Sequence, residues 1–262
     1  MIGDNWANAL LWLYGAFSVF WLLQWWLSQH IRGLALLIFR RPGPASSIYF
    51  WLLAPGVILH ELSHWFFAKI LLVRTGDMAL FRPTDSGNGK VTLGYVEVYR
   101  SDPIRQSLIG LAPLPIGIIA LLILSALLGF NHEVTAQVAA GSNQWQTLSA
   151  LPGQLITSFA QPLNFLWFYL VFTISNGMLP SSADRRPWLF GFILPSLVIL
   201  GLALSGNLKL SEQSQQSILS LLGTLTWAFA FAGLLNLLIA LLIAGLELLV
   251  SQVSRRRIVY RR

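Results

Sequence analysis

Apolar residues along this chain fall in long unbroken stretches, with little of the strict alternation that marks half-buried strands. A membrane crossing takes about 20 apolar residues. Six stretches reach that length, at 7–28, 48–73, 105–129, 162–180, 188–205 and 217–250. The last is long enough to be strongly tilted or to end in an interfacial turn. One region breaks the pattern. Within 74–104, "GNGKVTLGYVEVYRSDP" runs from turn residues through β-branched and aromatic positions to Asp-Pro, which predicts one or two short strands. The polar segment 131–161 contains a candidate amphipathic stretch, "WQTLSALPGQLITSFAQ". The pattern predicts an all-α polytopic membrane protein of about six transmembrane helices with a small cytoplasmic β-hairpin or strand element.

Composition agrees. The 262 residues are 55% hydrophobic and 10% charged, whereas a soluble domain is about a quarter charged. In a multi-pass protein the net charge of +7 is read first through the positive-inside rule, and no nucleic-acid partner is expected. Tryptophans near span ends (Trp6, Trp25, Trp26, Trp51, Trp188) suit an aromatic belt. The absence of cysteine excludes disulfides and thiolate metal ligands. The opening "MIGDNWANALLWLYG" lacks a basic region and a cleavage site, which predicts a retained helix.

Six alternating spans put both termini on one side, with twelve lysines and arginines there against four opposite; the rule then places both termini in the cytoplasm. Arg32, Arg40 and Arg41 fall on the wrong side in this scheme. An interfacial course for "HIRGLALLIFRRPGP" would soften that conflict. The second span then runs inward, with Lys69 and Arg74 snorkelling at its cytoplasmic edge.

The chemistry concentrates in that second span, "GVILHELSHWFFAKILL". His60 and His64 lie four apart, hence on one helix face, with Glu61 between them. This HExxH pattern suits two imidazoles on one metal ion and a glutamate that deprotonates water. The chain has four histidines and ten acidic residues, and three of these fourteen fall within five positions of one apolar helix. Ionisable groups there are rare and usually functional. The bland alternative is a pair of core histidines bonded to neighbouring helices. A catalytic zinc site takes three protein ligands. Asp184, after the fourth span in "TISNGMLPSSADRRPW", is the best-placed third ligand by depth and side. Glu247 fits better as an interfacial carboxylate near Arg255–Arg257. Glu133 and His132 lie on the opposite side, and Asp77, Asp85, Glu97 and Asp102 belong to the strand-containing loop.

An HExxH within a span, a β-rich loop after it, and a later span ending in Asn, Pro and Asp together resemble the site-2 protease family of intramembrane zinc metalloproteases. That family's second motif reads Asn, two residues, Pro, then Leu-Asp-Gly. Here Asn176 and Asp184 keep the spacing of eight, Pro180 is one position late, and Ala183-Asp184-Arg185 replaces Leu-Asp-Gly. "LIGLAPLPIG" (108–117) loosely resembles the family's Gly-Pro segment. The resemblance covers about 48–187. It implies His60, His64 and Asp184 as ligands of one Zn²⁺ per chain, Glu61 as general base, Asn176 near the substrate peptide, and cleavage of single-pass membrane proteins.

The organisation read from this is a first helix and interfacial segment (1–47), a metalloprotease-like three-helix core (48–187), and two further helices with a basic tail (188–262). A strand beside the site could capture unwound substrate by β-augmentation, with Gly94, Tyr95, Val96, Glu97 and Val98 as the contact. The expected function is intramembrane peptide-bond hydrolysis in a prokaryotic plasma membrane. The alternatives are an inactive relative serving as a membrane scaffold or chaperone, and a transporter.

Overall fold

The structure, a computed structural model, describes residues 2–80, 84, 85, 91, 92, 94–130, 144–181, 183–187, 211–256 and 258. Helix α1 (Ile2–Phe39) ends where Arg40 takes a left-handed φ of 57°. Helix α2 (Pro42–Ile70) follows at once; proline suits a first helical turn, where an N–H has no partner to lose. Strands β1 (Thr75–Ala79), β2 (Thr84–Asp85), β3 (Val91–Thr92) and β4 (Tyr95–Val98) precede helices α3 (Pro103–Leu111) and α4 (Pro113–Leu127). Then come α5 (Gln144–Ser158), α6 (Asn164–Gly177) and α7 (Glu212–Ser254).

Among the described residues, four stretches are long and apolar enough to cross a membrane: Asn8–Phe39, Gly43–Ile70, Pro103–Leu127 and Glu212–Ser254. The chain is thus a mostly helical protein of membrane type with a small β element. These four match the first, second, third and sixth expected spans. The fourth is shorter than expected. α6 has only 14 residues, about 21 Å at 1.5 Å per residue, because the Gly177–Pro180 segment stops it. The expected fifth span, 188–205, lies outside the described residues, as do His132 and Glu133.

Other boundaries also differ from the sequence reading. The supposed interfacial segment after residue 28 is part of α1, since no Gly-Pro punctuation interrupts it before residue 42. Arg32 remains on this helix by donating from Nε to the Ser28 carbonyl (2.7 Å) and lying over the Tyr49 ring. The third span is broken into α3 and α4 at Ala112–Pro113. The amphipathic stretch is a helix in its own right, α5.

The chain divides into two compact units. One comprises 1–53, 121–172 and 216–262, and its core is aromatic. Phe17 and Phe20 meet Phe229 (centroids 5.1 and 5.5 Å), and Phe130 meets Phe231 (4.8 Å). Further along the same helices, His30 Nδ1 lies 2.6 Å from Glu247 Oε2. Residue numbers rise together along both partners, so α1 and α7 run in the same direction. Six alternating spans would make the first and last run oppositely, so the relative direction of these two helices differs from the one expected.

The other unit comprises 54–120 and 173–215. β1 pairs antiparallel with β4 (Thr75↔Val98, Met78↔Val96, Ala79↔Tyr95), with an irregularity between Thr75 and Met78. β2 pairs with β3. The β element therefore has four strands, more than the one or two expected. It is anchored where Val98 packs with Phe67 and Leu71 on buried Ala68, Val73 and Ile109. α2 and α6 touch backbone to backbone. A Cβ on Gly56 would lie 1.9 Å from the Thr173 carbonyl oxygen, and one on Gly177 would lie 2.7 Å from the Gly56 carbonyl. Only glycine permits this approach, the small-residue mode by which apolar helices pack in lipid.

Candidate metal centre

The centre lies wholly within the second unit. One turn of α2 presents His60 and His64 on the same face, as their spacing requires. What fixes the rings is backbone. His60 Nδ1 lies 2.7 Å from the Gly177 carbonyl oxygen, and His64 Nδ1 lies 2.8 Å from that of Ile109.

Both carbonyls are available for a local reason. In a continuous helix the Ile109 oxygen would accept from residue 113, but Pro113 has no N–H. It accepts from His64 instead, and from Ala112 N (3.2 Å) in a tightened last turn. The Gly177 oxygen would accept from residue 181. Pro180 prevents the helix from continuing, and Ser181 N donates to Asp184 Oδ2 (2.7 Å). Two prolines thus release the two carbonyls that orient the two imidazoles.

Asp184 completes the group. Its Oδ1 lies 3.3 Å from His64 Nε2, its Oδ2 lies 3.6 Å from His60 Nε2, and the two Nε2 atoms are 3.1 Å apart. The carboxylate is held by the Ser181 amide, and Ser181 Oγ accepts from Asp184 N (3.3 Å) in return. α3 clamps this turn. Ser107 Oγ donates to the Pro187 carbonyl (2.8 Å), and a Cβ on Gly110 would lie 2.3 Å from the Asp184 carbonyl oxygen. Arg185, in place of the glycine of the resembling motif, has no positive φ, so this turn makes no demand that only glycine meets.

The hydrogen-bond arithmetic exposes what the group lacks. Carbonyls only accept, so each Nδ1 carries the proton, and in a neutral imidazole Nε2 then presents a lone pair. Two such nitrogens and a carboxylate oxygen converge with no donor among them. Three acceptors at these distances repel unless a cation lies between them, and the three residues could hold a metal ion. Histidine ligands that donate their second ring N–H to a carbonyl are the usual supporting arrangement in metal sites.

Other expected residues are placed unevenly. Glu61 sits beside the pair, and a Cβ on Gly94 would lie 3.0 Å from its Cγ and 3.5 Å from its Oε1. The residue before β4 therefore borders the glutamate. Tyr95, Val96 and Val98 are half-buried and Glu97 is exposed. Asn176 is half-buried in the last turn of α6. Glu247 belongs to the other unit, with His30 as partner. Sequence reasoning gave no site role to Ile109, Gly177, Gly56 or Gly110, although it marked the segment 108–117 that holds Ile109 and Gly110. The available signals were Pro113 four residues after Ile109 and a glycine in an apolar stretch one turn before His60.

Comparison with protein-family models, with curated proteins and with solved structures found no match for this chain. The chemistry is argued from the site itself.

Proposed function

We propose that this chain is an intramembrane zinc metalloprotease acting on peptide bonds of single-pass membrane proteins. The observation that carries the reading is the donor-free convergence of His60 Nε2, His64 Nε2 and the Asp184 carboxylate. Bonds of about 2.0–2.2 Å to a tetrahedral zinc put neighbouring ligand atoms about 3.3–3.6 Å apart, and the separations here are 3.1, 3.3 and 3.6 Å. Nitrogen and oxygen ligands suit zinc, and three protein ligands leave a position for substrate or water. When bound, the ion supplies Lewis acidity, polarising a peptide carbonyl and making water easier to deprotonate at neutral pH.

The chain's own residues supply the rest. Glu61, one position from the first ligand, takes the proton of the attacking water. It returns that proton to the amide nitrogen as the C–N bond breaks, leaving a carboxylate and an amine. The edge of β4 away from β1 has no strand partner among the described residues, and Gly94 at its start borders Glu61. An unwound substrate segment can therefore pair with β4 and bring an extended amide to the glutamate. The apolar helices support a membrane setting for this chemistry, which we read as a prokaryotic plasma membrane.

The test uses purified full-length protein and a model single-pass substrate. Glu61→Gln is expected to lower cleavage by about 10²–10⁴-fold, the usual range for a general base, while zinc content stays at one per chain. Unchanged cleavage in this variant overturns the mechanism.

A further inference from the structure

A cavity of about 450 Å³ opens beside the candidate metal centre and shares His64 and Asp184 with it. One wall is a single face of β4 and its continuation. Val96, Val98 and Arg100 alternate along the chain and so point the same way. A second wall is the turn after α6, ending in Arg186, two residues beyond Asp184. The cavity is thus lined by apolar side chains together with two arginines.

Arg105 pairs with Asp102 (3.2 Å), and Arg185 donates to the Ser181 carbonyl (3.3 Å). Among the described residues, neither Arg100 nor Arg186 has a carboxylate within salt-bridge distance. The Asp184 and Glu61 carboxylates would together balance a divalent ion at the centre, so the unpaired charge of the cavity is that of the two arginines. Two such side chains in one lining favour an anionic occupant, and guanidinium groups pair with carboxylates through paired N–H donors.

We infer that Arg100 and Arg186 form a subsite for a carboxylate of the peptide substrate, close in sequence to the bond hydrolysed. This rests on the protease reading above and deepens it. Gly94 borders Glu61, and Arg100 lies six residues further along the strand direction. At about 3.3 Å per residue that is about 20 Å, so the carboxylate lies within about six residues of the scissile bond. An acidic side chain or a free C-terminus presents the same group.

The experiment uses full-length protein in neutral-lipid nanodiscs and three versions of one substrate segment. One carries an internal glutamate and an amidated C-terminus. Another carries glutamine and a free C-terminus, and the third carries glutamine and an amide. A carboxylate is expected to raise kcat/KM by about tenfold or more, the range of a hydrogen bond to a charged group. Which of the first two segments is preferred identifies the source. In Arg100→Gln, Arg186→Gln and the double variant the ratio of acidic to neutral substrate falls towards one. Arg100→Lys with Arg186→Lys retains part of the preference, which a misfolded protein would not. The same ratio is read as binding of labelled segments to the Glu61→Gln variant.

Equal cleavage of all three segments overturns the subsite and leaves the protease reading standing. Charge-dependent binding without cleavage by the wild type overturns the protease reading and leaves the subsite. A dependence on added phosphatidylglycerol, lost in the arginine variants and indifferent to peptide charge, overturns the inference in favour of lipid phosphate.

Discussion

Each of the two units contains buried or half-buried histidine close to a carboxylate, and they use it in opposite ways. In the α1–α7 unit, His30 points Nδ1 at Glu247 Oε2 (2.6 Å) and stacks on Trp26 with centroids 3.7 Å apart. The carboxylate accepts a hydrogen bond from the ring Nδ1–H, so donor and acceptor are matched. In the second unit, His60 and His64 give their Nδ1 protons to backbone carbonyls, so both Nε2 lone pairs turn towards Asp184. The same two residue types thus produce a closed pair in one place and an electron-rich opening in the other. What separates them is the partner of Nδ1, and the backbone sets that partner.

The most severe test of this contrast removes the imidazoles. His60→Ala with His64→Ala is expected to take zinc from one ion per chain to none, measured by elemental analysis of purified protein. His30→Ala should leave zinc content at one. Loss of zinc in His30→Ala, or retention in the double variant, would erase the distinction. The carboxylates sharpen it next. Asp184→Asn keeps the shape and removes the charge, and zinc affinity measured by competition with a chelator should fall by more than about 10–100-fold, the cost of losing a metal ligand's supporting partner. Glu247→Gln should leave that affinity unchanged and lower the thermal stability of the α1–α7 unit.

Glycines in the two units give a third comparison. A Cβ on Gly56 would strike the Thr173 carbonyl, whereas one on Gly15 meets nothing within 4 Å. Gly56→Ala should destabilise the protein by about 1–3 kcal/mol through overpacking and weaken zinc binding by moving α6. Gly15→Ala should be neutral, or more stable by up to about 1 kcal/mol from helix propensity. The smallest effect is the most specific. Pro113→Ala restores an N–H that competes with His64 for the Ile109 carbonyl, so zinc affinity should fall by no more than about tenfold with folding stability unchanged or raised. A variant with unaltered affinity would show that the carbonyl does not orient the ring.

Legibility followed the range of the physics. The HExxH turn was readable because four residues of helix bring two rings to one face without help from the rest of the chain. Asp184 was readable from its side, its depth and the broken helix before it. The β element was readable as extended chain, but its pairing was not. β1 and β4 are joined across 15 intervening residues, and single-strand pattern says little about partners. Ile109 and Gly177 act through carbonyl oxygens, which every residue possesses, so only their proline neighbours hinted at them. The direction of α7 relative to α1 was misread because counting basic residues assumes strict alternation of six spans.

The sequence by itself determined that this is a chain for an apolar solvent, that its ionisable groups crowd one turn of one helix, and where proline and glycine interrupt the helices. Tertiary structure alone decided that a carboxylate 120 residues after the second histidine meets both rings, and that α1 and α7 run together. The reason is directional. Hydrophobicity says which segments leave water but not which way two helices point, whereas close glycine packing and released carbonyls act only once the helices are in contact.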